Sequence, residues 1–274
     1  MRAMIRIFSG KNNRIKMEEI LLFLNFYEEK YLFFAEISEY EERKKELLQR
    51  KSVDCMQFTG WLKENYPKDV YSKCYLKRRG NIKFCSYRTM YGGIGYIHIW
   101  VFDEEIIPAI KKLTNMKTDY LIIDLRDNCG GSVDVLINSF SYFLKGKGTI
   151  EIQDRNSYKS YNVVGDAGSY RKIFLLVNKN TMSCAEILMM VLYENMKNVY
   201  IVGGPTFMKD KGQITMRGGK VVLSITNFNW YVSGKKIKDF WKQPGERVFE
   251  INKNLSEQDM VKFVYSQLGY ISEY

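Results

Sequence analysis

The sequence has one histidine, His98, among 274 residues, and that scarcity excludes more chemistry than any motif includes. A metal centre built on several imidazoles is ruled out, and a Ser-His arrangement would have to use His98. The five cysteines stand at positions 55, 74, 85, 129 and 184, with no C-x-x-C pair. That spacing supports neither a zinc site nor a disulfide scaffold and fits reduced thiols. With 4 prolines and 20 glycines, the chain has no room for a long unstructured linker. No run approaches the roughly 18 to 20 uncharged apolar residues that a membrane-spanning helix needs. The first eleven residues also lack an apolar stretch suited to a signal peptide, so a cytoplasmic location without a membrane span is expected.

What is present describes a folded chain. Hydrophobic residues make up 46%, aromatics 15% and charged residues 27%, enough for a sizeable core. The length fits one large domain, or a core with a smaller cap. The formal net charge of +11 favours acidic partners. The basic runs are short, however, as at Arg43-Lys44-Lys45 and Lys77-Arg78-Arg79, and no nucleic-acid motif accompanies them. A lysine-rich solvated surface is expected, with no nucleic-acid partner.

Two halves differ in pattern. Residues 16–51 contain no Gly or Pro and repeat apolar residues at helical spacing, from Ile20 through Leu24 and Tyr27 to Ile37. A second helix is expected from Val53 to Asn65, ending before Pro67. Residues 1–90 are therefore expected to form an N-terminal helical cap, and 91–274 a core domain. In the core, apolar strands at Gly95–Phe102, Tyr120–Leu125, Ile173–Val177 and Val199–Val202 alternate with helices. Those helices are placed at 103–115, 133–144 and 184–196, with hairpin-like strands at 220–231 and a closing helix at 256–268. This is α/β order with a mixed sheet.

Sites in such layers form where strands end and helices begin. Two corners qualify. The turn Asp124-Leu-Arg-Asp-Asn-Cys-Gly-Gly131 places Gly130 and Gly131 where backbone N–H groups can face a developing negative charge. In the turn from Asn178, Ser183 stands at the start of a helix. Ser183 there is either an N-cap, with Glu186 completing a capping box, or a nucleophile whose oxyanion the helix amides stabilise. Position alone does not separate these readings.

The combination does. Gly95-Tyr-Ile97, Leu121-Ile-Ile-Asp-Leu-Arg126 with Asn128, and Leu176-Val-Asn178 occur in order. Ser183-x-x-Glu186-Ile187, Val202-Gly203, Thr206-Phe207-Met208-Lys209 and Gln213 follow them. Over roughly residues 90 to 250 this resembles the C-terminal processing (tail-specific) peptidases, which include the tricorn protease core. The resemblance implies a ClpP/crotonase-like layered core and a serine peptidase. Ser183 would be its nucleophile, Lys209 its general base and Gln213 the residue that orients the amine. The oxyanion donors would be the Cys184 amide and one from Gly130-Gly131. A base lysine must be neutral, so its pKa has to fall from about 10.4 toward 7 to 8, and apolar bulk at Phe207 and Met208 fits such a pocket. No metal or organic cofactor is implied. The partners implied are peptide or protein substrates, with acidic ones favoured by the net charge, and an oligomer is compatible. His98, in mid-strand, reads as structural, and Cys184 as a small buried helix residue rather than a nucleophile.

Several features depart from the family pattern. Met208 replaces a Gly, Cys129 stands where Pro or Gly is common, Gly245 replaces an Asp, and no PDZ module is recognised before residue 90. They keep open an alternative in which a decayed relative acts as a peptide-binding or scaffolding protein.

Overall fold

The structure, a computed structural model, describes residues 3–9, 14–21, 44–50, 52–54, 57–58, 70–76, 84–154, 157–218, 221–251 and 255–270. The chain divides into two compact units, one of residues 1–81 with 213–227, the other of residues 82–212 with 228–274.

In the first unit, β1 (Ala3–Ser9), β2 (Arg14–Lys16), β3 (Ser52–Asp54) and β4 (Val70–Leu76) are strands. β1 runs parallel to β4, and β2 pairs antiparallel with β3. The expected helix from Val53 therefore does not begin there, because Val53 and Asp54 extend to pair with Ile15 and Arg14. β-branched Val53 suits that extended role. Of the helix expected over 16–51, residues 17–21 and 44–48 are helical, and 22–43 lie outside the described residues.

The second unit is built on one mixed sheet. Its strands are β5 (Cys85–Met90), β6 (Ile94–Ile99), β7 (Tyr120–Asp124), β10 (Lys172–Val177), β11 (Val199–Gly203) and β14 (Val248–Glu250). They lie in the order β14-β11-β10-β7-β6-β5, all parallel except β5. Between them run α1 (Ile106–Asn115), α2 (Val133–Phe143) and α3 (Cys184–Asn195). α4 (Ile237–Lys242) and α5 (Glu257–Gln267) follow. Side chains alternate along the strands. Ile97, Ile123, Leu175 and Ile201 join one core with α1 to α4, whereas Tyr96, Ile122, Phe174 and Val202 join another with α5. This two-step alternation, buried on both faces, is why these strands read as continuous apolar runs.

A long hairpin, β8 (Lys145–Gln153) and β9 (Tyr158–Asp166), packs on the first of these cores through Ile150 and Val163. β12 (Lys211–Gly218) and β13 (Val221–Val232) complete the strands. Residues 221–225 pair with β1 in the first unit, and residues 229–232 pair with β8 in the second. The hairpin β8–β9 was not evident in the sequence, because Gly146, Gly148 and Gly165 interrupt it and β9 is mostly exposed. α3 is buried along nearly its whole length, from Cys184 to Tyr193, as a helix enclosed by its surroundings must be. Arg247 closes its far end by donating to the carbonyls of Tyr193, Met196 and Val199 at 2.7–2.9 Å.

Gly203 ends β11 at φ +138°, and a Cβ there would meet the Val177 carbonyl oxygen at 2.0 Å. Only glycine allows β10 and β11 to approach so closely just before the Lys209 loop. Gly203→Ala is expected to cost about 2 kcal/mol or more in urea-induced unfolding, and an unchanged midpoint would show that the strands have room to part.

Candidate active site

Three loops leave the carboxyl ends of the adjacent strands β7, β10 and β11, and every site residue of the second unit rides on them. The first carries Gly130 and Gly131, the second Ser183 and the third Lys209. Gln213, by contrast, is the third residue of β12 and belongs to the first unit.

Ser183 has φ +59° and ψ −120°, a conformation that costs a non-glycine residue about 1 to 3 kcal/mol. It turns the chain from the loop after β10 directly into α3. The surroundings fix it there. The Ser183 N–H donates to Glu186 Oε2 at 2.7 Å, the Ser183 carbonyl accepts from Glu186 and Ile187, and Met182 N–H donates to the Asn128 carbonyl. A Cβ on Gly130, which has φ +96°, would stand 2.8 Å from Ser183 Cβ and 3.3 Å from the Cys184 nitrogen. Glycine therefore lets the turn after β7 lie directly against the serine. The Gly130 N–H donates to Asn128 Oδ1 at 2.7 Å, so it is already engaged within the turn.

Glu186 joins the serine loop to the lysine loop. It is fully buried, and its carboxylate accepts four hydrogen bonds. Oε2 takes the Ser183 N–H and, at 3.1 Å, the Lys209 N–H. Oε1 takes the Met208 N–H at 2.7 Å and the Thr206 hydroxyl at 2.6 Å. Thr206 in turn accepts from Trp241 Nε1 at 3.0 Å. Burial pushes the Glu186 carboxyl above its ordinary value, against the pull of these donors. One carboxylate oxygen thus sits between the backbones of Ser183 and Lys209. In the sequence Glu186 was read as a capping-box partner and as part of the Ser183-x-x-Glu186-Ile187 motif; its contacts to residues 206–209 were not visible there.

Lys209 is half-buried, and its charge lies close enough to Cys184 to favour the thiolate. The apolar wall expected of Phe207 is not formed, since that ring is 58% exposed. Met208 packs against the core, at φ +59°, the left-handed backbone that explains why glycine suits this position. Burial pushes the Cys184 thiol up to about 11, and the thiol donates to the Gly131 carbonyl at 3.4 Å.

His98 makes its contacts around Asp124 and the start of the glycine turn. Its ring stacks on Trp100, its Nε2 is 3.1 Å from the Arg126 carbonyl, and its Nδ1 is 3.8 Å from Asp124 Oδ2. Asp124 accepts from Arg126 and from Tyr96, which fixes the root of the glycine turn. His98, Asp124 and Glu257 each bring one potential metal-ligand atom within 4.8 Å of the others. The guanidiniums of Arg126 and Arg88, however, already hold the two carboxylates. The structural role read for His98 agrees with these contacts.

A strained serine at a helix start, a glycine turn against it and a lysine loop tied to it thus meet at the carboxyl ends of adjacent strands of an α/β layer. The sequence profile of peptidase family S41 matches residues 93–239, and the chain belongs to that family. The chain is 35% identical over 147 residues to the carboxy-terminal processing protease CtpA of Bacillus subtilis, covering 49% of this chain and 31% of that protein. It is 32% identical over 145 residues to the chloroplastic carboxyl-terminal-processing peptidase 1 of Arabidopsis thaliana, covering 49% of this chain and 29% of that one. The chain thus spans less than a third of the length of these relatives. Among solved structures, a lipoprotein from Streptococcus agalactiae shares the fold over 91% of this chain and 96% of its own, with TM-score 0.60 and 16% identity. The photosystem II D1 C-terminal processing protease shares it over 68% and 53%, with TM-score 0.53 and 19% identity.

Two outcomes follow from this geometry. Glu186→Gln presents an amide N–H₂ to donors that need an acceptor, and it should lower unfolding stability by about 2 to 4 kcal/mol. Stability equal to wild type would show that the carboxylate does not hold the loops. Cys184 should resist iodoacetamide from pH 6 to 9, because its raised pKa keeps the thiol protonated there. Mass-spectrometric detection of rapid Cys184 alkylation at pH 8 would contradict that burial.

Proposed function

We propose that this chain is a serine endopeptidase that hydrolyses peptides or unfolded segments through an acyl-enzyme. The observation that carries the reading is the shared acceptor: Ser183 and Lys209 donate their backbone N–H groups to the same oxygen of Glu186. That contact brings a strained serine and a lysine loop together at one helix N-terminus, where an oxyanion would be stabilised.

In this reading neutral Lys209 takes the Ser183 hydroxyl proton as Oγ attacks the scissile carbonyl. The tetrahedral oxyanion would be held by the N–H groups of Cys184 and Gly131, since the Gly130 N–H is engaged by Asn128. Collapse breaks the C–N bond, and Lys209 returns the proton to the leaving amine. Water then attacks the ester carbonyl as Lys209 accepts its proton, and the C–O bond breaks as Lys209 returns that proton to Ser183 Oγ, which frees the serine and leaves the amine neutral. Gln213 is assigned to orient the Lys209 amine on the strength of its place in the motif. The net charge of +11 favours acidic substrates.

Cleavage of reduced casein by wild type, Ser183→Ala and Lys209→Ala between pH 6 and 10 tests the assignment. Both variants should lose at least about a thousandfold in rate. Wild-type activity should rise with pH as Lys209 becomes neutral. Activity that survives Ser183→Ala would remove Ser183 as nucleophile. A wild type that neither cleaves casein nor reacts with a fluorophosphonate would favour the decayed, peptide-binding alternative, for which the strained Met208 in the lysine loop is the supporting observation.

A further inference from the structure

A cavity of about 400 Å³ opens at the carboxyl ends of β7, β10 and β11, on the side of the sheet that α5 covers. Its walls are the first residues of the three loops that go on to carry the glycine turn, Ser183 and Lys209. Its floor is apolar, formed by Val177, Leu255 and Met260 among others. The polar rim carries little net charge toward the opening. Arg126 is engaged with Asp124 and donates to the Leu255 carbonyl at 3.2 Å. Asp127 accepts from the side-chain amides of Asn180 at 2.7 Å and Asn178 at 3.1 Å. Lys179 is the exposed cation of the rim.

An apolar floor beneath a rim rich in amides suits an apolar side chain carried on a peptide backbone, and it suits a phosphate or a strongly charged ligand poorly. Methionine in the floor lets the shape adapt to Leu- or Met-sized groups. The distance fits a substrate in extension. Asn180 and Ser183 are three residues apart in the chain, so they lie at most about 11 Å apart along the backbone, the reach of three or four substrate residues. We propose that this cavity is a side-chain subsite of the polypeptide substrate. It would take a Leu- or Met-sized residue within about four positions of the scissile bond. The proposal rests on the peptidase reading above and adds where selectivity is exerted.

The test compares wild type with Leu255→Trp, which fills the floor without touching the residues assigned to catalysis. Cleavage sites in reduced casein, mapped by mass spectrometry, should show Leu, Met or Ile enriched at one fixed position for wild type. For a peptide carrying Leu at that position, Leu255→Trp should lower kcat/KM by about tenfold or more, and the enrichment should vanish. Its rate of labelling by a small fluorophosphonate should stay within about twofold of wild type. Unchanged selectivity overturns the proposal. So does loss of labelling at an unchanged melting temperature, which would mean that the cavity acts through the catalytic loops. If Leu255→Trp does not fold, or wild type is inert, the decision passes to the Ser183→Ala protein with ¹³C-methyl methionine. Its Met260 methyl resonance should move on titration with unfolded casein, and a resonance that stays in place overturns the subsite. An inert wild type whose Met260 methyl still moves removes the peptidase reading and keeps the peptide site.

Discussion

The meeting of the serine and lysine loops depends on one buried carboxylate. Glu186 sits in the first turn of α3 with no exposure to solvent, a position that is tolerable only because each oxygen accepts two hydrogen bonds. Those four donors come from two loops that leave different strands. The same contacts that satisfy the charge therefore fix the distance between the serine and lysine backbones. The strained dihedrals of Ser183 are the counterpart, because a turn held by Glu186 on one side and by Asn128 on the other has no looser conformation to adopt.

A second polar group does for the glycine turn what Glu186 does for the other two loops. Asp124 ends β7 beneath that turn, and Arg126, Tyr96 and the neighbouring His98 surround it. The single histidine thus belongs to the support of the site. Its place on β6, directly opposite Asp124 in the parallel pairing, accounts for that assignment.

The core strands and helices were legible because their physics is local. Ile173–Val177 is apolar throughout and Tyr120–Leu125 is apolar but for Asp124, as strands covered on both faces must be, and α3 and α5 were placed within a residue or two. The hairpin β8–β9 escaped because its glycines and exposed face carry no alternating apolar signal, and Val53 escaped because its strand is set by a partner far along the chain. In the site, position alone left Ser183 open between a cap and a nucleophile, and it was the resemblance to the C-terminal processing peptidases that implied roles for Ser183, Lys209, Gln213 and the glycines. The double duty of Glu186, the engagement of the Gly130 amide and the exposure of Phe207 are tertiary facts, and no spacing rule encodes them.

The strain at Ser183 carries a consequence for how this protein would fail on heating. The sheet and α3 are held by dozens of buried apolar side chains, whereas the serine and lysine loops are held together by a handful of hydrogen bonds converging on one group. Local opening draws on the weakest cooperative unit first. Once the loops part, Ser183 relaxes toward ordinary dihedrals and releases the stored energy, so reassembly has to climb back against it. The joined arrangement of the two loops would therefore be lost below the temperature at which the domain itself unfolds, leaving the fold intact around it.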